Sequence, residues 1–496
     1  MDNPGFLFMF GIYGTTATKE TVRLLQKTGA CGVLLLARNI EDAAQTRALT
    51  EDLVQKVGRP LLFSVDHEGG WVLRFKRGVT AFPGNAALGA TKDADMAYAV
   101  GQAMGRELAW LGIRINLAPV LDVVSSYNPG IGIRSFGENP VLAGRLGAAM
   151  IRGMQENGVC ATAKHFPGKG AARVDSHVAL PVITIPPARF AETHLAPFKD
   201  AIAEGVDCVM TSHVRFPKLD KAPATFSTKI TRDLLRKKLG FEGAVISDDL
   251  CMGAIARQWP IQLASGKALE AGHDILLIAH AATAQEEAAE LLAAQAEESP
   301  ELAEQIKQSR RRINKLFKRQ KPGEKSRPMA ADALSDRIAD LAVETAQRGR
   351  MALPLAPEAE PLLVIVPDFT EVEELFTFEG GVGRPEEIIE KIAARWGRAK
   401  IRRAPVQSPV VGALAREIQK SKRILFFCFE AMRFPGQRAT LDILKREAPG
   451  RTVVCLIRNS WDKGLLAKAM TAVDTKGYRL SQLRAGLNLI LSGTSS

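Results

Sequence analysis

Asp175 and His177 stand two residues apart at the end of the stretch Ala163-Lys-His-Phe-Pro-Gly-Lys-Gly-Ala-Ala-Arg-Val-Asp-Ser-His177. In extended backbone that spacing turns both side chains the same way. A carboxylate beside an imidazole is a proton-transfer pair: the Asp orients the ring, fixes its tautomer and raises its basicity, so the ring titrates near neutral pH. Pro167, Gly168 and Gly170 break the chain before the pair, which places it on a loop. An isolated Asp-x-His equally serves to satisfy local backbone groups, so its meaning depends on what else reaches the same place. In Val245-Ile-Ser-Asp-Asp-Leu250 an apolar run passes into a loop at a second carboxylate. Asp248 is placed there as nucleophile or charge stabiliser, and Asp249, on the opposite side of the strand, as a cap of the next helix. One anionic carboxylate and one proton donor are the minimum equipment for displacing a leaving group with retention at an acetal carbon.

The elements that must position these groups follow from periodicity. Short runs rich in Val, Ile, Leu and Phe alternate with longer helical patterns, the signature of repeated βα units. The runs are Phe6 to Tyr13, Cys31 to Leu36, Leu61 to Asp66, Ile113 to Pro119, Cys160 to His165, Asp207 to His213, Ala244 to Asp248 and Asp274 to His280. Eight such units predict an α/β fold, a (β/α)8 TIM-like barrel, with a doubly wound open sheet as the alternative. Polar residues gather at the C-terminal ends of the runs: Asp66, His67 and Glu68, Asp122, Lys164 and His165, His213, then Asp248 and Asp249. That is the barrel face on which active sites are assembled. The expected organisation is a barrel catalytic domain over residues 1–320, a linker and connecting helix over 321–350, and a smaller C-terminal α/β sandwich domain over 351–496. Gln320 to Pro328 has a linker's Pro, Gly and charge content. A helical pattern runs from Ala331 to Gly349, and three apolar runs follow: Leu362 to Val366, Ile424 to Phe429 and Val453 to Ile457. Leu483 to Leu491 reads as a last packed element, and Gly380-Gly-Val-Gly383 lacks the Lys and the setting of a phosphate loop.

With 496 residues, 46% apolar and 24% charged, the chain has the composition of a soluble globular protein of two domains. No apolar run is long enough to span a bilayer. The N-terminus lacks a basic leader and a small-residue cleavage site, which points to the cytoplasm. The six cysteines show no metal-ligand spacing and read as buried hydrophobes of a reducing compartment. Much of the net charge of +12 is local, in Lys307 to Arg327. With Phe317 the single aromatic residue in it, that run reads as a solvated basic helix and argues against a nucleic-acid partner.

Taken together, Lys164-His-Phe-Pro-Gly-Lys-Gly with Asp175-Ser-His177, Ser247-Asp-Asp-Leu, Val65-Asp-His-Glu-Gly-Gly70, Ala118-Pro-Val-Leu-Asp122 and Arg134-Ser-Phe-Gly137 resemble glycoside hydrolase family 3. More narrowly, they are similar to its bacterial β-N-acetylglucosaminidase (β-N-acetylhexosaminidase) branch, which acts in cell-wall recycling. The resemblance covers roughly residues 5 to 345. It implies that Asp248 is the catalytic nucleophile, His177 the general acid/base and Asp175 its dyad partner. It also implies that Asp66, Arg74, Arg134, Lys164 and His165 hold the hydroxyls of a non-reducing sugar. Their chemistry agrees: Lys164 and His165 are donors, Arg134 offers a planar fork and Asp66 accepts two hydroxyls. Arg74 and Arg134 are equally placed to pair with Asp66 or Glu138. His213 faces the same site, with a structural or a sugar-contacting role both open, and Glu107 reads as an ion-pair partner.

The implied substrates are N-acetylglucosaminides, as muropeptide or chitooligosaccharide fragments, with no cofactor, no metal and no membrane partner, in a monomer or homodimer. The chain departs from the family's pattern at Lys169, His67 and Trp71, where His, Gln and Arg are usual. None of these is an assigned catalytic position. Pro167 to Val174 reads as a mobile loop that brings His177 into place, and Trp71 as a stacking surface or a packed residue. A β-glucosidase of the same fold is disfavoured, because by resemblance that branch takes its acid/base from elsewhere. A phosphorylase stays open, since a His acid/base does not repel phosphate. A non-enzymatic sugar-binding protein would have no need of Asp175, His177 and Asp248 together. For the second domain, packing or dimerisation is expected, with Arg402, Arg403 and Arg438 as surface or clamp residues.

Overall fold

All eight N-terminal runs become parallel strands in the computed structural model, which describes residues 3–75, 77–318, 328–355, 361–372, 389–390, 399–409 and 412–492. They are β1 (Phe8–Gly11), β2 (Gly32–Leu35), β3 (Leu62–Val65), β4 (Ile115–Asn116), β5 (Cys160–Phe166), β6 (Cys208–Thr211), β7 (Ala244–Ile246) and β8 (Leu276–Ile278). Each pairs with its sequence neighbour from β1 to β7, and β8 pairs back to β1, with Phe8 opposite Leu276. A bridge between Ile246 and Ile275 joins β7 to the start of β8. The sheet therefore closes into a barrel and the open-sheet alternative falls. Every residue of these strands is buried. Strands covered on the inside by one another and on the outside by helices show no polar alternation, so they read as continuous apolar runs.

The paired strands are shorter than the runs that announced them. β4 is regular only at Ile115 and Asn116, since Pro119 offers no amide, although the chain beyond stays along β5, Val120 bridging Lys164 and Leu121 N donating to Lys164 O at 2.7 Å. The helical stretch after β8 divides at Ser299 into Ala282–Glu298 and Pro300–Lys318, as a proline without an amide proton starts a new helix. The basic run on the second of these is only partly solvated. The Arg310 guanidinium lies 4.6 Å from the Phe6 ring centroid, and Arg312 reaches Asp274 at 3.0 Å.

The second sheet holds β9 (Glu344–Gln347), β10 (Leu362–Asp368), β11 (Ala399–Pro405), β12 (Arg423–Cys428), β13 (Thr452–Leu456) and β14 (Thr471–Asp474). Its order is β9-β14-β13-β12-β10-β11, parallel except where β9 meets β14. Leu483, Leu487 and Ile490 of the last helix cover one face; Leu414, Ile418, Leu441 and Leu444 cover the other, making an α/β sandwich. The three expected runs are β10, β12 and β13. The helix expected from Ala331 to Gly349 ends at Ala342 and gives way to β9. β9 and β11 carry too many polar residues for an apolar-run reading, their burial being partial. Of the linker Gln320 to Pro328, all but Pro328 lies outside the described residues, as does Gly380 to Gly383. Helix Asp332–Ala342 packs against both Leu480–Leu491 and the barrel helix Asn85–Thr91, and Ser335 Oγ donates to Ala81 O at 2.9 Å. The two domains thus share packing through one helix.

Asp274, fully buried just before β8, gathers Arg236 Nη2 at 2.5 Å, Ser309 Oγ at 2.7 Å, Val245 N at 2.8 Å and Arg312 Nη1 at 3.0 Å. Removing one partner of a buried ion pair leaves the other uncompensated, at about 3–5 kcal/mol. Asp274→Ala should lower unfolding stability by about that amount in a denaturant titration, while the folded fraction keeps its activity, since Asp274 lies at the barrel end opposite the mouth.

Candidate active site

The mouth of the barrel is built on buried charge. At the end of β3, Asp66 receives Lys164 Nζ at 2.7 Å and Arg74 Nη2 at 3.2 Å. Glu68, 2% exposed, receives Arg134 through Nε at 2.8 Å and Nη2 at 2.7 Å, and Lys164 Nζ at 2.6 Å. Burial alone would raise both carboxyls, but the Lys164, Arg74 and Arg134 cations hold Asp66 well below the usual range, and Arg134 and Lys164 do the same for Glu68. Conversely, burial works against the Arg134 charge, and Glu68 outweighs it and raises the group. Arg74 therefore pairs with Asp66, one of its two expected partners. Arg134 pairs with neither Asp66 nor Glu138 but with Glu68.

β5 supplies two adjacent side chains to this mouth. Successive strand residues ordinarily face opposite sides. The pairing of β5 with β6 shifts register between Lys164 and Phe166, and such an irregularity re-aims side chains. Lys164 reaches Asp66, and His165 Nδ1 lies 2.8 Å from Asp122 Oδ2. Burial, then the Lys169, Arg134 and Lys164 cations, push His165 well below its ordinary value. Burial likewise raises Asp122 to about 6, against Lys169. The ring is neutral, and its proton belongs on Nδ1 facing Asp122, which leaves Nε2 as its remaining polar atom.

Beyond β5 the chain is pinned where the sequence suggests a loose loop. Lys169 N donates to Asp122 Oδ1 at 2.6 Å, and Asn128 Nδ2 donates to Lys169 O and Gly170 O at 3.0 and 2.9 Å. Gly170 lies so close to Val123 O that no Cβ would fit. The expectation of a mobile Pro167 to Val174 is thus corrected for its first half, because small residues here serve close approach. Farther on, His177 Nδ1 lies 2.7 Å from Asp175 Oδ1, with side chains 38% and 24% exposed. The His177 hydrogen bond and charge hold Asp175 well below its usual range despite burial.

Asp248, at the end of β7, accepts from Asp249 N through Oδ1 at 3.0 Å; its Oδ2 takes no hydrogen bond among the described residues. Burial would raise this carboxyl, and Lys169, His213 and His177 together lower it. The dyad segment docks beside it: Ala254 N, just beyond β7, donates to Ser176 O at 3.1 Å. Asp249 Oδ1 accepts from Cys251 N and from Ala279 N, both at 3.0 Å, so it caps the turn and ties it to β8. His213 is fully buried, with Nδ1 2.6 Å from Thr225 Oγ1 and Nε2 2.9 Å from Asp249 O. Both ring nitrogens are occupied, so the sugar-contacting role is corrected to support of the β7 turn. Glu107 accepts from Thr80 N and Oγ1 at 3.0 and 2.5 Å. A carboxylate oxygen without a hydrogen bond among the described residues, an oriented imidazole and a ring of paired, buried charges now face one mouth.

A model described as the glycosyl hydrolase family 3 N terminal domain matches residues 7–316. The chain belongs to glycosyl hydrolase family 3. It is 38% identical over 279 residues to a β-hexosaminidase of Hydrogenovibrio crunogenus, a match spanning 55% of this chain and 78% of the relative. A β-hexosaminidase of Thiobacillus denitrificans is also 38% identical, over 276 residues, 54% of this chain and 77% of the relative. Its fold is similar to that of a solved family 3 β-N-acetylglucosaminidase from Paenibacillus sp. str. FPU-7. That match has a TM-score of 0.91, 32% identity, and covers 99% of this chain and 96% of that one. The protein is a glycoside hydrolase.

In this family 3 enzyme the second domain grips the mouth, a part that no motif in the sequence announced. Arg479 donates to Gly70 O and, at 3.3 Å, to Trp71 O. The Arg458 guanidinium sits 3.8 Å from the Trp71 ring centroid, and its Nε lies 3.1 Å from Glu430 Oε2. Glu430 Oε1 accepts from Tyr127 OH at 3.1 Å. Trp71, 7% exposed, is therefore packed and not an open stacking face. His67 is fully buried against Phe75. Arg402, Arg403 and Arg438, the expected clamp candidates, pair instead with Glu417, Glu390 and Asp442. Of the residues at the mouth, Glu68 does most that the sequence left unassigned, since it orders two cations at once. Glu68→Gln should lower kcat/KM about 10²-fold, mainly through KM, in Michaelis curves on a folded variant.

Proposed function

We propose that the chain is a retaining exo-β-N-acetylglucosaminidase that releases terminal N-acetylglucosamine from muropeptide or chitooligosaccharide fragments. The observation that carries this reading is the docking of the Asp175/His177 segment, through Ser176 O and Ala254 N, onto the loop that follows Asp248, whose Oδ2 has no donor among the described residues. The similarity to the β-hexosaminidase relatives and to the Paenibacillus β-N-acetylglucosaminidase supports the choice of sugar. Six cysteines that form no disulfide, five of them buried, support a reducing, cytoplasmic setting.

In the first step Asp248 Oδ2 bonds to the anomeric carbon as the bond to the aglycone oxygen breaks. His177, held by Asp175 through Nδ1, passes its Nε2 proton to that oxygen. In the second step His177 takes a proton from water, the water oxygen bonds to the anomeric carbon, and the Asp248 ester bond breaks. Asp66, Arg74, Arg134, Lys164 and His165 bind the sugar hydroxyls. Because Asp66 and Glu68 already order the three cations, those donors meet the ligand without rearrangement.

Asp248→Asn should abolish turnover; near-normal activity would remove the proposal. For His177→Ala, aryl glycosides with poor leaving groups should lose far more rate than those with good ones, about 10²-fold more across the series. Equal losses would argue against the proton-donor role. Paired chromogenic N-acetylglucosaminide and glucoside substrates, assayed with and without phosphate, decide among sugar, water and phosphate, and a preference for glucoside would sink the reading.

A further inference from the structure

Lys169 lies between the two halves of the catalytic pair, on a loop held by others. Its side chain is 7% exposed, its Nζ is 3.4 Å from Ser176 Oγ, in the middle of the dyad segment, and 4.0 Å from Asp248 Oδ2. Its own amide is fixed by Asp122 and its carbonyl by Asn128, so the ammonium cannot follow a moving partner far. The titratable and charged groups that interact with it or with Asp248 are Asp122, His165, Asp175, Arg134, His213, His177 and Asp249. No hydrogen-bond donor occupies Asp248 Oδ2 among the described residues, so Lys169 is the cation aimed at the oxygen that forms the glycosyl bond.

Burial disfavours an ammonium unless an anion compensates it. In the free enzyme Asp248, 4.0 Å away, offsets part of that cost, with burial still holding the Lys169 group below its ordinary value. Once Asp248 has become an ester that charge is gone, while Lys169 stays where its backbone pins it. Resting on the function proposed above, we infer that Lys169 is a positioning residue that sets the lifetime of the glycosyl-enzyme. Its ammonium pairs with the Asp248 carboxylate before attack, is stranded in the ester, and draws the departing carboxylate back in the second step. The second step is thereby quickened at the expense of the first, since the same charge blunts Asp248 as a nucleophile.

The pH dependence carries the same sign. Burial raises Asp248 and Lys169 leads the groups that lower it, so without the ammonium Asp248 would keep its proton to higher pH. The nucleophile must be ionised, and the acid limb of kcat/KM would move upward.

The test is Lys169→Met in the full chain, with a nitrophenyl N-acetyl-β-glucosaminide whose good leaving group makes the first step fast. We expect a burst of nitrophenol, a glycosyl adduct on quenched enzyme by intact mass, and kcat lowered about tenfold with KM falling in step. The acid limb of kcat/KM should rise by about one pH unit. Lys169→Arg, which keeps the charge, should restore the wild-type kinetics and serves if the Met variant fails to fold. Parallel loss of kcat and kcat/KM with no adduct and an unmoved limb would overturn the inference and leave Lys169 a packing residue. An active Asp248→Asn variant would overturn the proposed function as well, whereas an inactive one beside an unaltered Lys169→Met would overturn this inference alone.

Discussion

Charge taken out of water is the constraint on which this barrel mouth depends. Asp66, Glu68, Arg74, Arg134 and Lys164 come from three separate loops or strands and are all nearly buried. None could be ionised there alone, because an isolated buried charge costs several kcal/mol. Each is tolerated because another is within hydrogen-bonding distance, and the loops must hold their places for that to remain so. The polar surface proposed to bind the sugar is in this sense the by-product of a charge balance. Lys164 is its centre, for its ammonium meets both carboxylates.

A second network couples the proton-transfer side to the first. Asp122 holds His165 through one oxygen and the Lys169 amide through the other. Asn128 pins the same loop from the segment that follows β4. The consequence is that the segment leading to Asp175 and His177 starts from a rigid anchor and becomes exposed only near the dyad itself. The partial exposure of His177 is what the proposed proton-donor role asks for, since such a group has to meet both leaving group and water, and the burial of Asp248 is what the proposed nucleophile role asks for.

The second domain enters this economy of positions from outside the barrel. Arg479 and Arg458 take hold of Gly70 and Trp71, the turn between the strand that bears Glu68 and the one that leads to Arg74. Glu430 holds Tyr127 on the next loop. The grip is polar and aromatic, and made mostly through backbone carbonyls and one ring face. Such contacts have no spacing rule in the chain, which is why the sequence points to packing or dimerisation and offers Arg402, Arg403 and Arg438 as clamp candidates in place of Arg458 and Arg479.

What the sequence by itself determined is the part governed by local periodicity and by short motifs. Eight buried parallel strands must read as apolar runs, and the polar residues that end them must lie at one rim, so the barrel and its candidate residues were legible from Phe8 to Ile278. The Asp175-Ser-His177 spacing carried its own chemistry. Tertiary structure alone decided the partners. That Arg134 turns to Glu68 and not Glu138, that His213 spends both nitrogens on Thr225 and Asp249, and that Trp71 lies under Arg458 all depend on distances between residues far apart in the chain. β9 and β11, half-buried and polar, also took their place only through pairing. Periodicity reports what one segment does with water, whereas a buried charge or ring is settled by whichever distant group arrives first within reach, and only the closed barrel and the domain set upon it bring those groups together.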